Sequence, residues 1–179
     1  GYASGGDVPP LTLIYRDTPE RRNEADFLVK AWKDTLGITV TPQFVDSKAR
    51  SAAFNADQFQ LFQGGWQLDY PDIENPVVGL FDTGGGNNHY NCSDPAVDAA
   101  FKEAAAATTE DARIAAYDKV ETLIVTKLCG IIPIYQDGLP YMVSSKVGGV
   151  VSNGVSNSSE QGSACVEGVF THLHSARTQ

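Results

Sequence analysis

The sequence predicts an α/β fold. Three observations carry that expectation: a strand, a helix and a second strand in succession over residues 11–44, two later helices with clear caps at Asp94-Pro95 and Thr109, and a short apolar strand from Ile131 to Tyr135. With 179 residues, 42% of them apolar and 20% charged, the chain can bury a core as one domain or as one lobe of something larger.

Residues 1–10 are rich in Gly and Pro and read as a connector. Leu11 to Tyr15 is apolar and β-rich, as a short buried strand requires. Thr18 is placed to cap a helix whose first position, Pro19, has no N–H to leave unpaired. Ala25, Leu28, Val29, Trp32 and Leu36 then recur at helical spacing along one face, and Gly37 supplies the stop. Ile38, Val40, Pro42 and Phe44 alternate as in a strand. Pro42 cannot donate to a ladder, which favours an edge position. Asp46 to Asn55 has room for one or two helical turns.

Phe59 to Trp66 reads as a third strand, with Phe59, Leu61 and Gln63 on one face. Gln67 to Asn91, rich in Gly, Pro, Asp and Asn, reads as a long loop with Gly84-Gly85-Gly86 as a flexible tip. Asp94 and Pro95 open a helix whose stripe is Val97, Ala100, Phe101, Ala104 and Ala105. Thr109 caps the next, with Glu110 and Asp111 at its positive end, Tyr117, Val120, Ile124 and Leu128 facing inward, and Lys127 suiting its C-terminal end. From Leu139 onward the chain is rich in Gly, Ser and Val and weakly patterned, so this segment is expected to depend on a partner lobe.

Thirteen Lys and Arg against 22 Asp and Glu give a net charge of −9 and leave no basic stripe for nucleic acid or anionic lipid. No run approaches the roughly 18 apolar residues of a membrane span. Residues 1–10 lack the charged and apolar regions of a signal peptide, and a Gly in first place reads as a processed or excised piece. Cys92, Cys129 and Cys165 have no metal-ligand spacing. One disulfide with one free thiol in an oxidising compartment and three buried thiols both stay open. His89 stands alone, and His172 and His174 read as an exposed strand rather than as ligands. The nucleophile elbow, the phosphate-cradling loop and the zinc-protease helix motif are missing, so no cofactor, no metal and no enzymatic reaction is expected.

One segment gathers chemistry: Gly64-Gly65-Trp66-Gln67-Leu68-Asp69-Tyr70-Pro71-Asp72. It lies where a strand ends, and in open α/β sheets ligands bind beyond the carboxyl ends of strands. Trp66 and Tyr70 can wall a pocket, and Asp69 can pair with a cation such as an amine. The competing reading makes Trp66 core and Asp69 a turn cap before Tyr70-Pro71.

Gly65 to Asp72 resembles the G-W-x-x-D-Y-P-D loop of the family 5 extracellular solute-binding proteins, the oligopeptide and dipeptide receptors of ABC importers. Similar segments follow in the family's order: Asn88, Tyr90, Asn91, Asp94, Pro95, Asp98 and Ala104; Arg113, Tyr117, Glu121 and Ile124; Ile132 to Tyr135; then Val147 with Gly149. Gly1-Tyr2 and Leu11 to Leu13 resemble the start of the same region, so the likeness spans about residues 1–150.

The resemblance implies a type II periplasmic-binding-protein-like lobe, a mixed sheet flanked by helices. Residues 1–139 would form the C-terminal ligand-binding lobe, and 140–179 would return toward an N-terminal lobe that this sequence does not contain. It implies Trp66, Asp69 and Tyr70 as ligand-binding residues, with Asp69 receiving the α-amino group of a short peptide and Trp66 lining the cavity. Family members also take nickel complexes, sugars and opines, so another small solute is an alternative ligand. The implied partners are ABC permease subunits, with no nucleic acid, and the implied location is extracytoplasmic, periplasmic or as a cell-surface lipoprotein. Cys92 departs from the family pattern, and a disulfide to Cys129 or Cys165 is conceivable on that ground. Two other classes stay in view: a ligand-sensing domain of a transcriptional regulator, and a hydrolase using Asp69 and Asp72 as paired carboxylates.

Overall fold

A computed structural model describes residues 2–67, 69, 70, 72–127, 130–138 and 164–171, with the backbone alone at 67, 136–138 and 164–171. The chain divides into two compact units, Gly1–Gln63 with Val169–Gln179, and Gly64–Gly168. The expected return of 140–179 toward another lobe lies, apart from the backbone of 164–171, outside the described residues.

Strands β1 (Leu11–Arg16), β2 (Val40–Val45) and β3 (Leu61–Gln67) run parallel in the order β2-β1-β3, and the first unit holds β1, β2 and the start of β3 as far as Gln63. Leu11 pairs with Val40 and Arg16 with Val45, while Leu13 pairs with Leu61 on the other side. The central strand is buried on both faces, with Leu13, Ile14 and Tyr15 consecutive in the core, as expected for a covered parallel strand. Pro42 sits in the outer strand β2, where its missing N–H costs no ladder bond to a further neighbour.

The crossover from β1 to β2 is helix α1 (Pro19–Leu36). Thr18 Oγ1 accepts from Arg21 N at 3.3 Å, and Gly37 closes the helix at φ 74°. Its stripe is narrower than the spacing predicts: Ala25 and Leu28 are buried, whereas Leu36 is exposed. Leu36 occupies the last turn, immediately before the left-handed residue. Helix α2 (Ser47–Asn55) is capped by Asp46, whose Oδ1 accepts from Ala49 N. Phe54 meets Phe59 and Phe62 with ring centroids 5.9 and 4.8 Å apart. Arg50 lies 4.5 Å over the Phe62 ring and donates to Gln63 O at 2.6 Å.

The second unit corrects the expected loop at 67–91, because Glu74–Phe81 forms helix α3. Pro76 stands third in the helix, where a backbone N–H has no intrahelical acceptor to lose. Val77, Leu80 and Phe81, spaced as one helical face, are its buried residues. The three-glycine tip is braced by a set of hydrogen bonds. Gly85 N donates to Asp82 O, Asn87 N to Gly79 O, and the Asn88 side chain spans Asp82 O, Cys92 O and Cys92 N.

Helices α4 (Pro95–Ala106) and α5 (Glu110–Thr126) begin where their caps predict, with Asp94 accepting from Ala96 N and Thr109 from Ala112 N. They pack on one another through Val97, Ala100, Phe101, Ala104, Tyr117, Val120 and Ile124; Ala105, expected in the stripe, is exposed. Leu128 and the side chains of the weakly patterned segment from Leu139 onward lie outside the described residues. Strand β4 (Ile131–Gly138) neighbours β5 (Ala164–Thr171), a strand that the composition did not predict. Cys92, 2% exposed, is half of a disulfide. This decides between the two open readings of the cysteines. Among the described residues, no helix is long and apolar enough to cross a membrane.

Candidate functional site

Strand β3 ends at Gln67, and the chain then runs through Asp69 and Tyr70 to the start of α3. Asp72 begins that helix: its Oδ1 accepts from Glu74 N at 2.8 Å, relieving one orphan donor of the first turn. The same oxygen accepts from Arg113 Nη2 of α5 at 2.6 Å, and Arg113 reaches Glu74 Oε2 at 3.3 Å while lying 4.9 Å over the Tyr117 ring. Arg113 holds the Asp72 carboxyl below its ordinary carboxylate range, outweighing partial burial, which acts the other way. A link from residue 72 to residue 113 thus pins the segment to a helix of the second unit.

Above that anchor, Asn75 joins two of the three predicted residues. Its Oδ1 accepts from Trp66 Nε1 at 2.9 Å and from Asp69 N at 3.0 Å, and its Nδ2 donates to Asp69 Oδ2 at 3.2 Å. Trp66 is half-buried and Asp69 exposed, and among the described residues Asp69 Oδ1 has no hydrogen-bond partner. The arrangement offers a negatively charged oxygen beside the edge of an indole, suited to an ammonium group. Tyr70 is 46% exposed and takes no part in the Asn75 node; its carbonyl accepts from Asp72 N.

Sequence reasoning missed Asn75 and Arg113 as members of this site. Asn75 was hidden inside the supposed loop. Its signal was an amide in the first turn of an apolar stripe at Val77, Leu80 and Phe81. Arg113 stood among the residues that carry the resemblance, but its pairing with Asp72 spans 41 positions and leaves no local pattern.

Asp72 and Arg113 give a prediction for acid. The folded Asp72 is depressed relative to the unfolded chain, so its stabilisation is complete above the ordinary carboxylate value and disappears as pH falls through the folded value. Thermal melts between about pH 5 and pH 2 should show a steeper stability loss for the native chain than for Arg113→Met. Equal slopes would show that the half-exposed pair adds nothing.

Residues 1–88 match the family described as bacterial extracellular solute-binding proteins, family 5 Middle. Among curated proteins, the chain is 29% identical over 127 residues to the periplasmic murein peptide-binding protein MppA of Escherichia coli (strain K12), covering 70% of this chain and 23% of that protein. It is 26% identical over 150 residues to the dipeptide-binding protein DppE of Bacillus subtilis (strain 168), covering 83% and 27%. The chain thus spans about a quarter of the length of these relatives. Among solved structures, the Escherichia coli murein tripeptide binding protein MppA superposes with a TM-score of 0.65 at 24% identity, over 71% of this chain and 25% of that one. Haemophilus influenzae OppA in complex with RPPGFSPFR gives 0.63 at 23%, over 68% and 24%. The fold shared with these structures is that of a type II periplasmic binding protein. With the family match over its first 88 residues and these relatives beside it, the chain is similar to the bacterial extracellular solute-binding proteins of family 5.

Proposed function

We propose that this chain is a ligand-binding lobe of a longer, two-lobed extracytoplasmic receptor that captures short peptides for an ABC importer. The observation that carries the reading is the Asp69 carboxylate, exposed beside Trp66 beyond the end of a parallel strand and held on Asn75. In this reading Asp69 receives the peptide's α-amino group, Trp66 lines the cavity and Tyr70 flanks it. Residues 1–139 form the lobe and 140–179 return toward the second lobe, which closes over the peptide about a hinge. Backbone hydrogen bonding holds the peptide and leaves its side chains in hydrated space, which permits broad specificity. ABC permease subunits are the downstream partners.

Two observations weigh against the other classes. The Cys92 disulfide belongs to an oxidising compartment, which supports an extracytoplasmic location over a cytosolic regulator of transcription. Asp72 is committed to Arg113 and to the start of α3, so its carboxylate serves the fold instead of standing free as the second of a hydrolase's paired carboxylates. Native mass spectrometry of the receptor as purified tests the ligand class. Bound masses matching short peptides are the expected result; a single sugar or metal chelate would overturn the peptide assignment.

A further inference from the structure

We propose that Asn75 is the positioning residue that gives the site its preference for a free α-amino group. The inference rests on the reading of Asp69 as the amine anchor and adds the device that aims it. Asn75 Oδ1 accepts two N–H groups, from Trp66 Nε1 at 2.9 Å and Asp69 N at 3.0 Å. Neither donor can bond an amide NH2, so the Asn75 side chain has one orientation, with Nδ2 toward Asp69. That NH2 binds Asp69 Oδ2 at 3.2 Å. One carboxylate oxygen is therefore clamped, and Oδ1, without a partner among the described residues, is left for the ligand.

The clamp stands on a fixed base. Asn75 is the second residue of α3, whose Val77, Leu80 and Phe81 are buried and whose start is tied through Asp72 to Arg113. An exposed aspartate on a turn samples several rotamers, and holding it in one lowers the ordering cost of binding an ammonium ion. The same amide orients the Trp66 indole, so the aromatic wall and the charged end are set by one side chain.

The test compares trialanine with N-acetyltrialanine, titrated into the two-lobed receptor that carries this sequence. The native protein should prefer the free amine by about tenfold or more, as a hydrogen bond between charged groups provides. Asp69→Asn should abolish that preference, and Asn75→Ala should reduce it to within about threefold. NMR supplies a readout that a general loss of stability would not produce. The Trp66 indole N–H, assigned as the signal lost in Trp66→Phe, should shift in Asn75→Ala while the rest of the amide spectrum keeps its dispersion. Should Asn75→Ala fail to fold, Asn75→Ser keeps a short polar group in the helix's first turn and takes the same measurements. A tenfold preference surviving both Asn75 variants, with Asp69→Asn still abolishing it, would overturn the positioning role and leave the amine anchor standing. Preference surviving Asp69→Asn would remove the anchor itself, and the inference with it.

Discussion

Asp69→Asn in the two-lobed receptor is expected to weaken the binding of short peptides by about 2–5 kcal/mol, or roughly 30-fold at the least. The substitution keeps the shape and one acceptor but removes the charge, so a ligand ammonium buried by lobe closure loses its counter-ion. Much of the loss is the cost of leaving that cation without a partner in a site from which water is excluded. The Asn75 bond to the side-chain oxygen survives in Asp69→Asn if the new amide presents its oxygen to Nδ2. The lobe's melting temperature should accordingly stay within a degree or two of the native value. Calorimetric titration beside a thermal melt separates the two effects. An unchanged affinity would eliminate Asp69 as the anchor.

Reduction of the Cys92 disulfide, or Cys92→Ala, should cost about 2–5 kcal/mol of stability. For a chain of this size that is a fall in melting temperature of about 5–15 °C. Cys92 is buried and its backbone is held on both sides by Asn88, so one end of the cross-link stands on the braced glycine tip. Melts with and without reductant should show the native chain falling to the value of Cys92→Ala, with the variant itself indifferent to reductant. A native melting temperature unmoved by reductant would show that the disulfide adds no stability.

Much of the fold was legible because the helices announce their own ends. Thr18-Pro19, Asp94-Pro95 and Thr109 cap where the sequence places them, and Gly37 stops α1 in the left-handed conformation that its lack of a Cβ allows. Pro42 located an edge strand by the same kind of local argument. What failed was the segment in which local and tertiary preferences disagree. Pro, Asn, Asp and Gly crowd residues 67–91, and their turn propensity hid an eight-residue helix that forms on a buried face of Val77, Leu80 and Phe81. Leu36 erred the other way, apolar and in phase yet exposed, because spacing names a face without saying how far the core extends along it.

The site was half legible for a related reason. Trp66 and Asp69 stand three positions apart and could be read together, and the structure joins them. Their joining residue, Asn75, and the Asp72–Arg113 tie depend on where α3 and α5 lie in three dimensions. No periodicity in the chain encodes a hydrogen bond between an indole and an amide nine residues on. Tyr70, chosen as an aromatic neighbour, is exposed, has its carbonyl committed to Asp72 N and stands outside the Asn75 node.

The most direct test of the account is the affinity of the intact two-lobed receptor for trialanine against its N-acetylated form at low salt and neutral pH. The account predicts saturable binding of the free peptide and a loss of about tenfold or more on acetylation, since acetylation removes the only charge that Asp69 can recognise at that end. Equal affinities for the two forms would contradict it.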